Sequence, residues 1–207
     1  SEREEFAAMT RPLTPPAVVG IVGAGTMGAG IAEVAAAAGH PVVLFDAVPG
    51  AAEGAKARIA ESLAARAAQG KIALSEATAS AQRVVVVHAL AELAPCALVI
   101  EAIAEDEAAK RELFIALEAV AGEDAVLATN TSSLSVTALA RGLKRPERFA
   151  GMHFFNPAPA MKLVEIVRGR ATTFTVAALL FETALSCGKT PVHVRASPGF
   201  IVNRVAR

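Results

Sequence analysis

Apolar positions along the chain form short runs that alternate with longer segments of helical spacing. Runs of four to six residues rich in Val, Ile and Leu are typical of strands buried on both faces of a sheet. We predict strands at Val18–Val22, Val42–Phe45, Val84–Val87, Leu98–Ala102, Val126–Thr129, Phe149–Phe154, Lys162–Val167 and Pro191–Arg195. We predict helices at Thr26–Ala38, Gly50–Gln69, Ser75–Gln82, Asp106–Val120, Ser135–Arg141 and Thr173–Cys187.

This order of elements predicts the fold class. Strands that alternate with helices favour an α/β protein with a Rossmann-like, doubly wound and mostly parallel sheet, covered by helices on both faces. Two helices, Gly50–Gln69 and Ser75–Gln82, follow the second strand, so we expect a helical insertion there. In the first of them Ile59 and Leu63 share an apolar face, while Arg58, Ser62 and Arg66 share another.

The length of 207 residues suits one sizeable domain. Residues 1–16 are polar and then Pro-rich, without the charged-then-apolar plan of a signal peptide. We therefore expect residues 1–16 to be a flexible leader and residues 17–207 to form the domain.

Composition excludes several classes of partner. Mean hydropathy is +0.46, yet no apolar run approaches the roughly 20 residues of a membrane span. Twenty basic and 20 acidic side chains cancel, and Trp and Tyr are absent, so neither nucleic acid nor an anionic membrane is favoured. Two isolated cysteines, Cys96 and Cys187, form neither a disulfide framework nor a metal site, which favours a reducing, cytoplasmic location and no bound metal.

A glycine-rich turn is the first candidate binding site. The segment Gly23-Ala24-Gly25-Thr26-Met27-Gly28 matches the G-x-G-x-x-G pattern, and it lies between a predicted strand and a predicted helix. In that pattern Gly23 permits the tight turn, Gly25 lets a pyrophosphate approach, and Gly28 lets the helix pack on the strand. Thr26 and Met27 begin the helix, whose free N–H groups attract phosphate. The alternative is a glycine turn without a ligand.

Asp46 indicates which dinucleotide the turn would hold. It ends the second predicted strand, where a carboxylate accepts hydrogen bonds from both adenosine ribose hydroxyls and repels a 2′-phosphate. The next residues, Ala47, Val48 and Pro49, supply no arginine for that phosphate. We therefore expect the cofactor to be NAD rather than NADP.

His153 and Glu165 are a candidate pair for proton transfer. Oxidation of a secondary alcohol requires loss of the hydroxyl proton as hydride leaves carbon, and imidazole titrates near neutral pH. A carboxylate on the second ring nitrogen fixes the tautomer and stabilises the imidazolium. His153 and Glu165 lie on consecutive predicted strands joined by a Pro-rich turn, so that connection can bring them together.

Four motifs in the second half of the chain carry a family resemblance. They are Asn130-Thr131-Ser132-Ser133, Gly151-Met152-His153-Phe154-Phe155-Asn156-Pro157, Met161-Lys162-Leu163-Val164-Glu165 and Pro198-Gly199-Phe200-Ile201-Val202-Asn203-Arg204. Together with the glycine turn they closely resemble the L-3-hydroxyacyl-CoA dehydrogenase family, from about Val18 to Arg204. The resemblance implies NAD-dependent oxidation of L-3-hydroxyacyl-CoA to 3-ketoacyl-CoA, as in fatty-acid or aromatic-acid degradation.

The resemblance also implies roles for single residues. His153 would be the catalytic base and Glu165 its partner, with Ser132 and Asn203 hydrogen-bonded to the reacting oxygen. Glu105, Lys110 and Asn156 would lie on the cofactor side near the nicotinamide. Ser62 would contact coenzyme A. For Glu105 and Lys110 the alternative is a solvated helix start, and Arg58 and Arg66 beside Ser62 could either hold phosphate charge or form a solvated face.

In this family an all-helical C-terminal domain follows the last motif and forms a homodimer. We therefore expect this chain to be the cofactor domain without that second domain. Two other functions stay open: a sugar-acid or other hydroxyacid dehydrogenase on the same fold, and a non-catalytic NAD-binding module. The second would retain the glycine turn but lack the base and its carboxylate.

Overall fold

Short strands and intervening helices alternate along a computed structural model that describes residues 13–195. Its strands are β1 (Val19–Val22), β2 (Val42–Phe45), β3 (Val84–Val87), β4 (Leu98–Glu101), β5 (Val126–Thr129), β6 (Phe149–Phe154), β7 (Leu163–Arg168) and β8 (Thr190–Arg195). Its α-helices are α1 (Thr26–Ala37), α2 (Ala51–Ala68), α3 (Leu74–Gln82), α4 (Glu107–Val120), α5 (Val136–Leu139) and α6 (Phe174–Ser186). These bounds agree with the predicted ones to within about two residues at most ends.

The strands pair into one sheet in the order β3-β2-β1-β4-β5-β6-β7-β8. Neighbouring strands are parallel except β6 and β7, which run antiparallel. The connection from β6 to β7 contains no helix, and a parallel crossover needs a dozen residues or more. The predicted doubly wound, mostly parallel fold class is confirmed.

Two apolar cores lie on the two faces of the sheet, which accounts for the unbroken apolar runs of the strands. One core joins alternate strand residues such as Ile21, Leu44 and Ile100 to helices α1, α2, α3 and α6. The other joins residues such as Val22 and Val99 to α4 and α5, with Phe114 and Phe149 packed edge to face at 4.6 Å between ring centroids. Helices therefore cover both faces, as predicted.

The predicted helical insertion after β2 consists of α2 and α3. The buried positions of α2 are Ala52, Ala55, Ile59 and Leu63, which recur at three- and four-residue spacing. This stripe packs into the first core, and the opposite side of α2 is exposed to solvent.

Several features lie at the margins of the predicted elements. Two short 3-10 helices, Leu90–Leu93 and Pro146–Arg148, were not predicted, because a single turn carries no periodic signal. Of the predicted leader, residues 1–12 lie outside the described part, while the Leu13 N–H donates to Thr183 Oγ1 at 3.1 Å and Leu13 packs on the first core. Within residues 13–195, no helix is long and apolar enough to cross a membrane.

Candidate cofactor-binding and active site

Most of the candidate site residues gather at the edge of the sheet where β1, β2, β4, β5 and β6 end. At that edge the chain turns one way from β1 to β2 and the other way from β4 to β5, because the strand order reverses between β1 and β4. Ligands of doubly wound proteins bind in the crevice that this reversal opens at the carboxyl ends of the strands.

The glycine turn follows β1 directly, and its three glycines differ in their surroundings. Gly23 has a φ of +102°, and a Cβ there would lie 2.6 Å from the Ala102 oxygen. A Cβ at Gly28 would lie 1.7 Å from the Gly23 oxygen. A Cβ at Gly25 would meet nothing within 4 Å, so the backbone is open on that side. At Gly23 and Gly28 the turn therefore packs tightly against backbone atoms, whereas at Gly25 there is space for a ligand.

The N-terminus of α1 has the properties expected of a phosphate site. Gly25 occupies the N-cap position without a side-chain hydrogen bond, and the first turn contains no acidic residue. Thr26 is exposed and Met27 half-buried, and the first N–H groups of a helix have no partner within the helix, so they are available to an anion. These residues fit the pyrophosphate of a dinucleotide.

Asp46 stands beside this turn at the end of β2. Its Oδ2 accepts a hydrogen bond of 2.6 Å from the Ala24 N–H, and its Oδ1 accepts one of 2.8 Å from the Val48 N–H. Next to it a largely apolar cleft is lined by Val22, Phe45, Val48, Ile103 and Leu113, together with Gly23, Gly25, Ala47, Ala102 and Ala104. The arrangement can hold an adenine ring against apolar side chains, with a carboxylate at the level of its ribose.

His153 and Glu165 are direct partners across the antiparallel pair β6–β7. His153 Nδ1 lies 2.8 Å from Glu165 Oε2, and the two residues are 6% and 0% exposed. The ring of Phe155 tilts against the imidazole at 4.5 Å between centroids. Burial on this scale strengthens the attraction between the imidazole and the carboxylate, so the ring is held in one orientation.

His153 lines a cleft, and residues that follow other strands line the same cleft. Met27, Asn130, Ser132, His153 and Asn156 line it, together with Ala102, Ile103, Glu105, Lys110, Phe154 and Phe155. The structure thus brings together most of the predicted catalytic and cofactor-side residues. Asn130 has a supporting position, because its Oδ1 accepts a hydrogen bond of 2.8 Å from the Phe154 N–H.

Lys110 is the centre of a buried ion cluster at one wall of this cleft. Its ammonium lies 2.8 Å from Glu101 Oε1 and 2.9 Å from Glu105 Oε2, and the residue is 1% exposed. Glu101 is fully buried and also accepts hydrogen bonds from the Ile103 N–H at 2.7 Å and the Thr129 hydroxyl at 2.7 Å. A solvated helix start, the alternative weighed for Lys110, is therefore wrong.

Glu101 is a site residue that sequence reasoning missed, since it was placed inside a predicted strand without a role. The available signal was a charged residue at the end of an otherwise apolar run, nine positions before a lysine. A carboxylate is almost never fully buried unless it is paired, so Glu101 and Lys110 account for each other's burial.

Glu105 connects the ion cluster to the segment that carries Ser132. Its Oε1 accepts hydrogen bonds from the Thr131 hydroxyl, the Ser132 N–H at 3.0 Å and the Ser133 hydroxyl at 3.2 Å. Partial burial by itself raises the pKa of Glu105, but the hydrogen bonds from Thr131 and Lys110 and the lysine charge outweigh it, so the pKa lies below its ordinary value. Glu105 therefore holds the loop after β5 as a carboxylate.

The remaining predicted residues lie elsewhere. Ser62 is half-buried on α2, outside the residues that line either cleft, and Asn203 with the motif from Pro198 lies outside the described residues. Arg66 forms an ion pair of 3.2 Å with the buried Glu33 of α1. Arg58 donates a hydrogen bond of 2.9 Å to the Ala24 oxygen. Both arginines of this helix face are thus engaged with α1 or the turn before it.

Fold and clefts together define a dinucleotide-binding α/β domain. A family model described as the NAD binding domain of 3-hydroxyacyl-CoA dehydrogenase matches residues 18–197. The chain therefore belongs to this family and is an NAD-binding domain of it.

Known relatives agree with this membership. The chain is 49% identical over 189 residues to a 3-hydroxyadipyl-CoA dehydrogenase of Escherichia coli K12, covering 91% of this chain and 40% of that protein. It is 40% identical to a 3-hydroxybutyryl-CoA dehydrogenase of Clostridioides difficile, covering 89% of this chain and 66% of the relative. A crystal structure of a 3-hydroxybutyryl-CoA dehydrogenase from E. coli K12 superposes with a TM-score of 0.91 at 48% identity, covering 92% and 40% of the two chains. The chain thus spans 40% to 66% of the length of these relatives.

Proposed function

We propose that this chain is the cofactor domain, residues 17–207, of an enzyme that oxidises L-3-hydroxyacyl-CoA to 3-ketoacyl-CoA. The observation that carries the proposal is the buried pair of His153 and Glu165, 2.8 Å apart, at the cleft that the glycine turn and Lys110 also reach. Relatives named for hydroxyacyl-CoA substrates at 40% to 49% identity support the substrate class.

In this proposal His153 is the general base. Glu165 accepts the hydrogen bond of Nδ1–H, which leaves Nε2 as the atom that takes the hydroxyl proton of the substrate. NAD, when bound, supplies the hydride acceptor. As the proton passes to His153 and the C–H electron pair leaves as hydride, the C–O bond becomes a carbonyl. The buried Glu165 carboxylate stabilises the imidazolium that results.

The other residues orient substrate and cofactor. We assign Ser132 and Asn203 to the reacting oxygen, Asn156 and Lys110 to the nicotinamide side, and Ser62 to coenzyme A. Support for Ser132 comes from Glu105, which holds its N–H at 3.0 Å and so fixes the loop that presents it to the cleft. Further parts of the proposal are a helical C-terminal domain that closes the cleft and forms a homodimer, and a reducing, cytoplasmic location, supported by the free thiols of Cys96 and Cys187.

The test is a steady-state assay of NADH formation with L-3-hydroxybutyryl-CoA, and of the reverse reaction with acetoacetyl-CoA. It uses this chain and a fusion of it to the C-terminal part of the C. difficile relative. His153→Ala should lower kcat by roughly 10²–10⁴, the scale of a general base, without changing NAD affinity. Glu165→Gln should cost less, because the imidazole remains.

His193→Ala is the matched control, because His193 lies on β8 and stacks on Phe181 at 4.6 Å between centroids, outside the residues that line the cleft. Near-normal turnover without His153 contradicts its assignment. Turnover of free sugar acids at higher kcat/KM than the CoA esters contradicts the substrate class and favours the hydroxyacid alternative.

A further inference from the structure

Arg58 reaches from the helical insertion back to the glycine turn. Its Nη2 donates a hydrogen bond of 2.9 Å to the backbone oxygen of Ala24, the residue between the first two glycines of the motif. On its way the side chain passes Gly54, one turn earlier on α2, where a Cβ would lie in ordinary van der Waals contact with Arg58 Nη1 at 3.4 Å. An exposed arginine of the insertion thus places its charge at the phosphate-binding turn.

The peptide groups of Ala24 are held from two sides. The N–H of Ala24 donates to Asp46 Oδ2 at 2.6 Å, and its oxygen accepts from Arg58. The next residue is Gly25, where the backbone is open to a ligand. Arg58 and Asp46 therefore both contact the turn that would lie between the ribose and the pyrophosphate of a bound dinucleotide.

Charge favours a phosphate rather than a neutral group as the second partner of Arg58. A guanidinium has five N–H donors in a planar fork, and the Ala24 oxygen uses one direction of that fork. The N-terminal turn of α1 contains no acidic residue, and the Asp46 carboxylate beside it already accepts hydrogen bonds from the Ala24 and Val48 N–H groups. Arg66, on the same face of α2, instead pairs with the buried Glu33, so the two arginines differ in their surroundings.

We propose that Arg58 is a cofactor-binding residue: it holds the Ala24 carbonyl and offers its remaining N–H groups to the pyrophosphate of the bound dinucleotide. The insertion after β2 then contributes to the cofactor site from outside the glycine motif. This proposal concerns binding alone and does not depend on the reaction proposed above.

Calorimetric titration of the 207-residue chain tests it with four ligands: NAD, ADP-ribose, AMP and adenosine. Arg58→Met removes the charge and the donors but keeps an apolar stem, and Arg58→Lys keeps the charge without the fork. Lys56→Met is the control, because it removes one positive charge from an exposed position of the same helix. Thermal unfolding of each variant checks that the fold is retained.

Arg58→Met should lower the affinity for NAD and ADP-ribose by roughly two- to fivefold, the range of an exposed charged contact. Its affinity for adenosine should not change. The difference should shrink at high salt, and Arg58→Lys should recover part of it. Lys56→Met should bind all four ligands as the unmutated chain does. Equal losses for adenosine and NAD would mean that Arg58 only shapes the turn, and unchanged NAD affinity in Arg58→Met would mean that it does not contact the cofactor; either result overturns the proposal.

Discussion

The ammonium of Lys110 and the carboxylate of Glu101 lie 2.8 Å apart inside the protein, and each residue is at most 1% exposed. The pair joins the end of β4 to α4, and through Glu105 it also reaches the loop that carries Ser132. A buried charge without its partner is expensive, so the two residues depend on each other energetically.

Removal of Lys110 should therefore destabilise the domain strongly. We expect Lys110→Met to lower the free energy of unfolding by about 3–5 kcal/mol, because the Glu101 carboxylate would remain buried without a positive charge beside it. The double variant Lys110→Met/Glu101→Gln should lose less than the sum of the single variants. Urea unfolding of all four proteins gives the coupling energy, and strict additivity would contradict the interdependence.

Two glycines of the same motif should respond differently to alanine. Gly28→Ala should destabilise the fold by about 3 kcal/mol or more, because its Cβ would lie 1.7 Å from the Gly23 oxygen. Gly25→Ala should stay within about 1 kcal/mol of the unmutated chain, the scale of an N-cap change. It should nevertheless weaken NAD roughly tenfold, since the methyl group enters the space left for the pyrophosphate. If Gly25→Ala lost stability together with NAD affinity, glycine at this position would be required for the fold and not for the ligand.

Asp46 should set the preference for NAD over NADP. Asp46→Ala should weaken the binding of NADH by roughly tenfold or more, the value of a hydrogen bond to a charged group. The difference in affinity between NADH and NADPH should therefore become smaller. Asp46→Asn should retain more stability, because one amide oxygen can still accept from the Ala24 or Val48 N–H. Fluorescence titration with both reduced cofactors measures this. Equal affinities in the unmutated chain would be incompatible with the assignment.

Cys96 should make the domain less stable as the pH rises into the alkaline range. Burial raises its pKa from 9.0 to about 12, so the thiol stays neutral in the folded chain while it ionises in the unfolded one. The stability linked to this thiol is fully present below about pH 9 and is lost as the pH rises towards about 12. The slope contributed by Cys96 should not exceed about 1.4 kcal/mol per pH unit, and it should be missing in Cys96→Ala.

Denaturant titrations of the unmutated chain and Cys96→Ala between these pH values give the difference directly. The absence of Tyr from the chain removes one other group that titrates in this range. Identical pH dependence of the two proteins would show that the thiol ionises equally in both states.

The strands and helices were predictable because their signals are local. Runs such as Val84–Val87 and Val126–Thr129 are short and largely apolar. The glycine turn is a contiguous motif of six residues. The sequence placed His153 and Glu165 on consecutive strands whose connection can bring them together. Their contact was decided by the tertiary structure, because the antiparallel register of β6 and β7 makes them direct partners.

Other contacts were decided only by the tertiary structure. Glu101 contacts Lys110 because α4 packs over the end of β4. Arg58 contacts Ala24, 34 positions earlier in the chain, because α2 packs beside α1. The sequence by itself determined the order of elements, the glycine turn and the residue types of a proton-transfer pair. Which charges lose their water, and which partner compensates each of them, depends on how separate elements pack, since burial and pairing of a charge are properties of its surroundings in space.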